Sequence, residues 1–200
     1  MRRERGFTLI DVLVLIVLVG MLAGSLTVLF SRLAAQSAQT MRAQQALALA
    51  QSLLDEVRAM PMTYCDPQDA RAGVATGAFV GGTGCATTVE ALGPEPGEVR
   101  AGAPALRFDN VGDYHNLAMP GGGCVGGICD PSGTLINPPG TPLAGCSARL
   151  VTTAQAMPGV PALDANGRAQ GLRIVVTVAC PGSADTQVEA VRLRHSPRQS

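Results

Sequence analysis

Arg2-Arg3-Glu4-Arg5-Gly6-Phe7-Thr8-Leu9-Ile10-Asp11 opens the chain and leads into an apolar run from Val12 to Phe30. Three arginines fall within the first five residues, and the 19 residues of the run carry no charge. At 1.5 Å per residue, a helix of that length covers about 28 Å, close to the roughly 30 Å of a bilayer's hydrocarbon core. Starting the helix at Phe7 gives 24 residues, enough to span with some tilt. The basic flank belongs on the cytoplasmic side, which sends the C-terminal bulk across the membrane. Asp11 is the one acid in this segment. A carboxylate in hydrocarbon costs about 2.5–3.5 kcal/mol on insertion scales, so Asp11 either reaches the headgroups or meets a cation. Cleavage after Gly6 would supply one, because the new amine of Phe7 would lie one helical turn from Asp11.

The position of the glycine separates this segment from an ordinary secretory peptide, which is cut behind its apolar core at small residues. Here Gly6 precedes the core, so a cut leaves the hydrophobic helix on the mature chain. Ala23-Gly24-Ser25 is the competing small-residue site, and an uncleaved signal anchor is the other alternative.

Gly6-Phe7-Thr8-Leu9-Ile10-Asp11 resembles the class III signal of type IV prepilins and type II secretion pseudopilins. The resemblance implies that a prepilin peptidase cuts between Gly6 and Phe7 and methylates the Phe7 amine. It also implies that Asp11 registers each subunit against a neighbour's amine. Asp11 stands where the family usually carries Glu; it keeps the charge and reaches one methylene less. The implied fold class is α+β and type IV pilin-like. In that fold a long N-terminal helix packs its second half on a C-terminal antiparallel sheet with long, disulfide-stapled loops. The implied organisation is a leader (1–6), a transmembrane or filament-core helix (7–30), its amphipathic continuation (31–60) and a loop-rich periplasmic β domain (61–200).

The remaining composition fits an exported domain. Without residues 1–6 the chain has 12 basic and 14 acidic side chains, a net charge of about −2 that gives no support for nucleic-acid binding. Every basic residue is Arg. Gly and Pro together supply 38 residues against six aromatics, so the core is thin and the domain rich in loops. All six cysteines (Cys65, Cys85, Cys124, Cys129, Cys146 and Cys180) lie beyond the membrane segment, and an even count in such a domain reads as disulfides.

Residues 31–60 contain no Gly or Pro and are rich in helix formers. Met41, Ala46, Leu49, Leu53, Val57 and Met60 trace an apolar stripe, with Gln44, Gln51, Asp55 and Arg58 opposite. Pro61 lacks the donor for a further turn. The predicted helix from Phe7 to Ala59 would be about 80 Å long. Gly20 and Gly24 form a small-xxx-small pair within the apolar half. Beyond Pro61, a short strand is predicted within Val99–Phe108 and a long loop over Gly121–Pro142. Strands are predicted at Ser147–Thr153, Leu172–Ala179 and Gln187–Arg194, with turn chemistry at Asp164-Ala165-Asn166-Gly167. Antiparallel pairing of the first two brings Cys146 to Cys180. Proximity in sequence favours Cys65 with Cys85 and Cys124 with Cys129, among fifteen possible connectivities.

No catalytic or metal constellation emerges. Cys124-x4-Cys129 lacks the second pair that a zinc site needs. His115 lies near Asp109 and Asp113, but the segment lacks calcium-loop spacing, and no Gly-x-Ser-x-Gly elbow occurs. The expectation is a protein that is not an enzyme and has no cofactor and no metal. Leu92–Arg100, Arg107–His115 and Ser52–Pro61 resemble minor pilins of the mannose-sensitive haemagglutinin (MSHA) type, although Asn110 and Gly112 replace expected acids. This resemblance implies a structural or assembly subunit that enters or primes a pilus for adhesion or motility. Its partners would be prepilin peptidase, other pilin subunits, the inner-membrane pilus assembly machinery and the membrane. It would reside in the bacterial inner membrane with its C-terminal domain in the periplasm, and later in the pilus at the cell surface. A minor type II pseudopilin shares every N-terminal feature, and a signal-anchored periplasmic enzyme or binding protein is the alternative of a different class.

Overall fold

The computed structural model describes residues 9–194. The chain divides into two compact units, Met1–Met41 and Arg42–Ser200. Helix α1 runs Leu9–Ala59, 51 residues in all. It is long and apolar enough to cross a membrane, with a mean hydropathy of 2.8 in its most apolar window.

In the first unit the apolar side chains from Leu9 to Phe30 are exposed, which suits a segment that requires an apolar solvent. Its hydroxyls bond within the helix: Ser25 Oγ donates to the Leu22 carbonyl at 2.8 Å, and Thr27 Oγ1 to that of Ala23 at 2.6 Å. Bonding of this kind satisfies hydroxyl donors where water is absent. A Cβ added at Gly20 or Gly24 would meet nothing within 4 Å, so both glycines leave open helix surface.

The second unit buries Ala46, Leu49, Ala50, Leu53, Leu54 and Val57 of α1. The predicted stripe is therefore corrected at two points. Met41 is 54% exposed, and Ala50 and Leu54 widen the buried face. A face wider than one stripe is what covering a sheet demands. Gln44, Gln51, Asp55 and Arg58 point to solvent.

The sheet has four antiparallel strands in sequential order. Strand β1 (Ala118–Met119) pairs with β2 (Ser147–Ala154), β2 with β3 (Gly171–Ala179), and β3 with β4 (Thr186–Leu193). Register aligns Leu150 with Val176 and Val176 with Val188, and aligns Thr152 with Ile174 and Ile174 with Ala190. These residues share the face turned to the core, as period-two alternation requires. On β4, Val191 and Leu193 remain exposed, and half-buried Arg192 shares the inner side with Val188 and Ala190.

Three disulfides staple the domain: Cys65–Cys85, Cys124–Cys129 and Cys146–Cys180. The last joins the start of β2 to the end of β3, because Ser147 stands opposite Ala179. The strand predicted within Val99–Phe108 does not form. That segment closes as a loop, with a single bridge from Val99 to Arg107 around the short 3-10 turn Pro104–Leu106.

Candidate functional site

Two places carry unusual chemistry. The first is the start of the chain, where Asp11 is the acid in the first turn of α1, exposed among apolar side chains. Gly6 and Phe7 lie outside the described residues.

The second is a cluster of acidic side chains in the loop domain, beside a cavity lined by both an acid and arginines. Asn110 Oδ1 accepts from the Gly112 N–H at 3.1 Å and helps turn the chain into the short 3-10 segment Gly112–Tyr114. Asp113 Oδ2 accepts the N–H groups of Asp109 and Asn110 at 2.9 and 2.7 Å, while its Oδ1 has no hydrogen-bond partner. The Gly93 N–H donates to the Gly112 carbonyl at 3.0 Å, drawing the 90–98 loop against this turn. Glu90 packs so closely here that a Cβ on Gly112 would lie 2.8 Å from its Oε1 and 2.5 Å from the Ala91 carbonyl. Glycine at 112 is thus a condition of the approach.

One carboxylate oxygen each from Glu90, Glu95 and Asp113 lie within 4.8 Å of one another. Glu90 is 5% exposed and Asp113 1%, and neither oxygen of Glu90 has a hydrogen-bond partner. Glu90 also lines a cavity of about 170 Å³ with Met62, Asn110, Gly112, Leu172 and Arg194. Arg168 lines the same cavity, and Arg194 donates to the carbonyls of Ala169 and Thr63, lies over the Tyr64 ring and interacts electrostatically with Glu90.

The energetic signature is crowding of like charge in a dry place. Burial pushes the Glu90 carboxyl up to about 9, with the charges of Asp113 and Glu95 adding to the shift. Burial pushes Glu98 up to about 8, assisted by its contact with Glu95. Asp113 rises to about 7 through burial, against the lowering effect of its two backbone donors. Asp109 is raised by burial and by the charge of Asp66. Such a group of carboxyls either shares protons or holds a cation.

Searches among protein families, curated proteins and solved structures return no match for this chain.

His115 does not join the acids. Its Nδ1 lies 2.7 Å from the Thr152 carbonyl, which can only accept, so Nδ1 carries the proton. Nε2 then accepts from Asn116 Nδ2 at 2.8 Å, and both ring nitrogens are occupied.

Glu90 was invisible as a site residue in the sequence, since it stands 23 positions before Asp113 in an irregular stretch. The Glu56–Arg100–Tyr114 network was equally hidden. Arg100, 2% exposed, donates to both oxygens of Glu56 at 2.8 and 2.6 Å and also to the Cys129 carbonyl. Tyr114 donates to Glu56 Oε1 at 2.9 Å. The sequence signal available was an arginine directly followed by a run of Ala, Gly and Pro at 101–105.

Proposed function

We propose that the chain is a minor type IV pilin, a structural or assembly subunit that enters or primes a pilus for adhesion or motility. The observation that carries this reading is the combination at the N-terminus. Gly6-Phe7-Thr8-Leu9-Ile10-Asp11 leads into, and ends within the first turn of, a helix apolar and long enough to span a bilayer. The α+β arrangement beyond it supports a pilin-like fold, with the later part of α1 packed on a meander sheet and three disulfides closing the loops. Disulfides suit a domain displayed outside the cytoplasm.

In this account the precursor rests in the inner membrane with its basic leader in the cytoplasm. Prepilin peptidase hydrolyses the Gly6–Phe7 bond, and the freed Phe7 amine is methylated. The assembly machinery then draws the helix out of the bilayer to pack among the helices of other subunits. Asp11 meets an N-terminal amine there, and the pair offsets the cost of burying either charge. The loop domain faces outward or caps the filament.

Mass spectrometry of the mature protein tests the reading. The expected N-terminus is methylated Phe7, and a native protein that begins at Met1 or beyond the apolar helix overturns it. Gly6→Ala should leave uncut precursor in the membrane, because the extra methyl group obstructs close approach of a peptidase to the bond. Efficient processing of that variant counts against the peptidase.

A further inference from the structure

We propose that Glu90, Glu95 and Asp113 bind a calcium ion that ties the 90–98 loop to the turn at Gly112–Tyr114. Two independent observations support this. Ligands of one calcium ion can lie no farther apart than about 5 Å, twice a metal–oxygen distance of about 2.5 Å, and the three carboxylate oxygens all fall within 4.8 Å. Separately, Glu90 is 95% buried with both carboxylate oxygens unpartnered, and Asp113 Oδ1 is buried and unpartnered beside it. Buried polar atoms in folded proteins nearly always find partners, so a group left this way demands a ligand.

The donor set selects the ion. Three carboxylates and no sulfur or imidazole suit a hard cation. Among the described residues all six cysteines are oxidised, and His115 is engaged with Thr152 and Asn116. Magnesium demands near-ideal octahedral geometry at short distances, which carboxylates fixed by irregular loops are poorly placed to supply. Calcium accepts irregular oxygen cages built from loops. Gly112 fits the site for the same reason, since any side chain there would displace Glu90. The expectation from sequence that this segment holds no metal weighed His115 with Asp109 and Asp113; folding adds the two glutamates. The proposal does not depend on the pilin reading.

The test uses the full-length protein in detergent micelles, freed of metal with a chelator and titrated with calcium chloride at neutral pH. Calorimetry should show one ion per chain with millimolar or tighter affinity, and the melting temperature should rise with calcium. Magnesium chloride should bind at least about tenfold more weakly. Glu95→Gln, at a half-buried position, should weaken calcium binding at least about tenfold, because affinity follows ligand charge. Glu90→Gln should abolish binding, while Glu189→Gln on the far side of the sheet should leave it unchanged. Absence of both heat and melting shift at about 10 mM calcium, ten times the weakest such affinities, overturns the proposal in favour of shared protons. Full affinity in Glu95→Gln overturns the ligand assignment, even if Glu90→Gln fails to fold.

Discussion

Asp69 shows how one side chain can organise a loop that has almost no core. Its carboxylate accepts the N–H groups of Arg71, Ala86, Thr87 and Thr88 at 2.7–3.0 Å and closes the segment around Cys65–Cys85. These donors, led by Thr88, hold its pKa well below the usual carboxylate range. A lowered folded-state pKa contributes stability above the unfolded value of about 3.9 and loses it as the pH falls through the folded value. Asp69→Asn should therefore melt below the wild type from about pH 4 upward. The gap should narrow as the pH drops below that, as thermal melts across a pH series would show. Arg100 is a second such residue. Removing one partner of a buried, hydrogen-bonded ion pair typically costs about 3–5 kcal/mol, so Arg100→Ala should lower unfolding free energy by that amount in denaturant titrations. By contrast, the Arg173–Glu189 pair is exposed on the outer face of the sheet, and Arg173→Ala should cost no more than about 1 kcal/mol.

At the scale of elements, the disulfides differ in what they restrain. Cys146–Cys180 closes 34 residues and clamps the ends of β2 and β3. Cys124–Cys129 closes five within one loop. On chain-entropy grounds the former stabilises by about 4 kcal/mol and the latter by about 2. Replacing both cysteines of each pair with Ala should reproduce that order in unfolding free energy. An equal or reversed loss would mean that the short bridge acts by holding the Cys129 carbonyl in place for Arg100. The helix face is set by the same element-level logic. Residues at 46, 49, 50, 53, 54 and 57 make a broad apolar face against Leu150, Ile174 and Val176, where a single stripe would leave part of the sheet wet.

For the whole molecule, the proposed life of the protein passes through two solvents, the bilayer and the filament core. Asp11 is the residue whose surroundings change most on that route. Asp11→Ala should still be cut and methylated, since Gly6 and Phe7 are intact, yet it should stay in the membrane fraction and be missing from sheared filaments. Asp11→Glu preserves the charge and lengthens its reach, and it should restore incorporation. Immunoblots of membrane and filament fractions check both variants. If Asp11→Ala enters filaments as well as the wild type does, the acid has no part in registering subunits.

Much of this architecture was legible in the chain before folding, because it rests on local chemistry. Nineteen uncharged residues define an apolar helix, α1 ends at Ala59 as Pro61 predicts, and the β-branched run at 172–179 forms an inner strand of the sheet. Even Cys146–Cys180 followed from two strands read as antiparallel neighbours. The two-residue strand β1 carried no such pattern, and Val99–Phe108 read as a strand from composition although its backbone bonds close a loop. The acidic cluster was out of reach for a different reason. Whether a glutamate lies in water or in the interior depends on what the rest of the chain lays over it, and an irregular loop has no period to announce its inward face. Tertiary structure alone brought Glu90 and Glu95 to Asp113 and Arg100 to Glu56, since both depend on long-range closure of loops that have little regular structure.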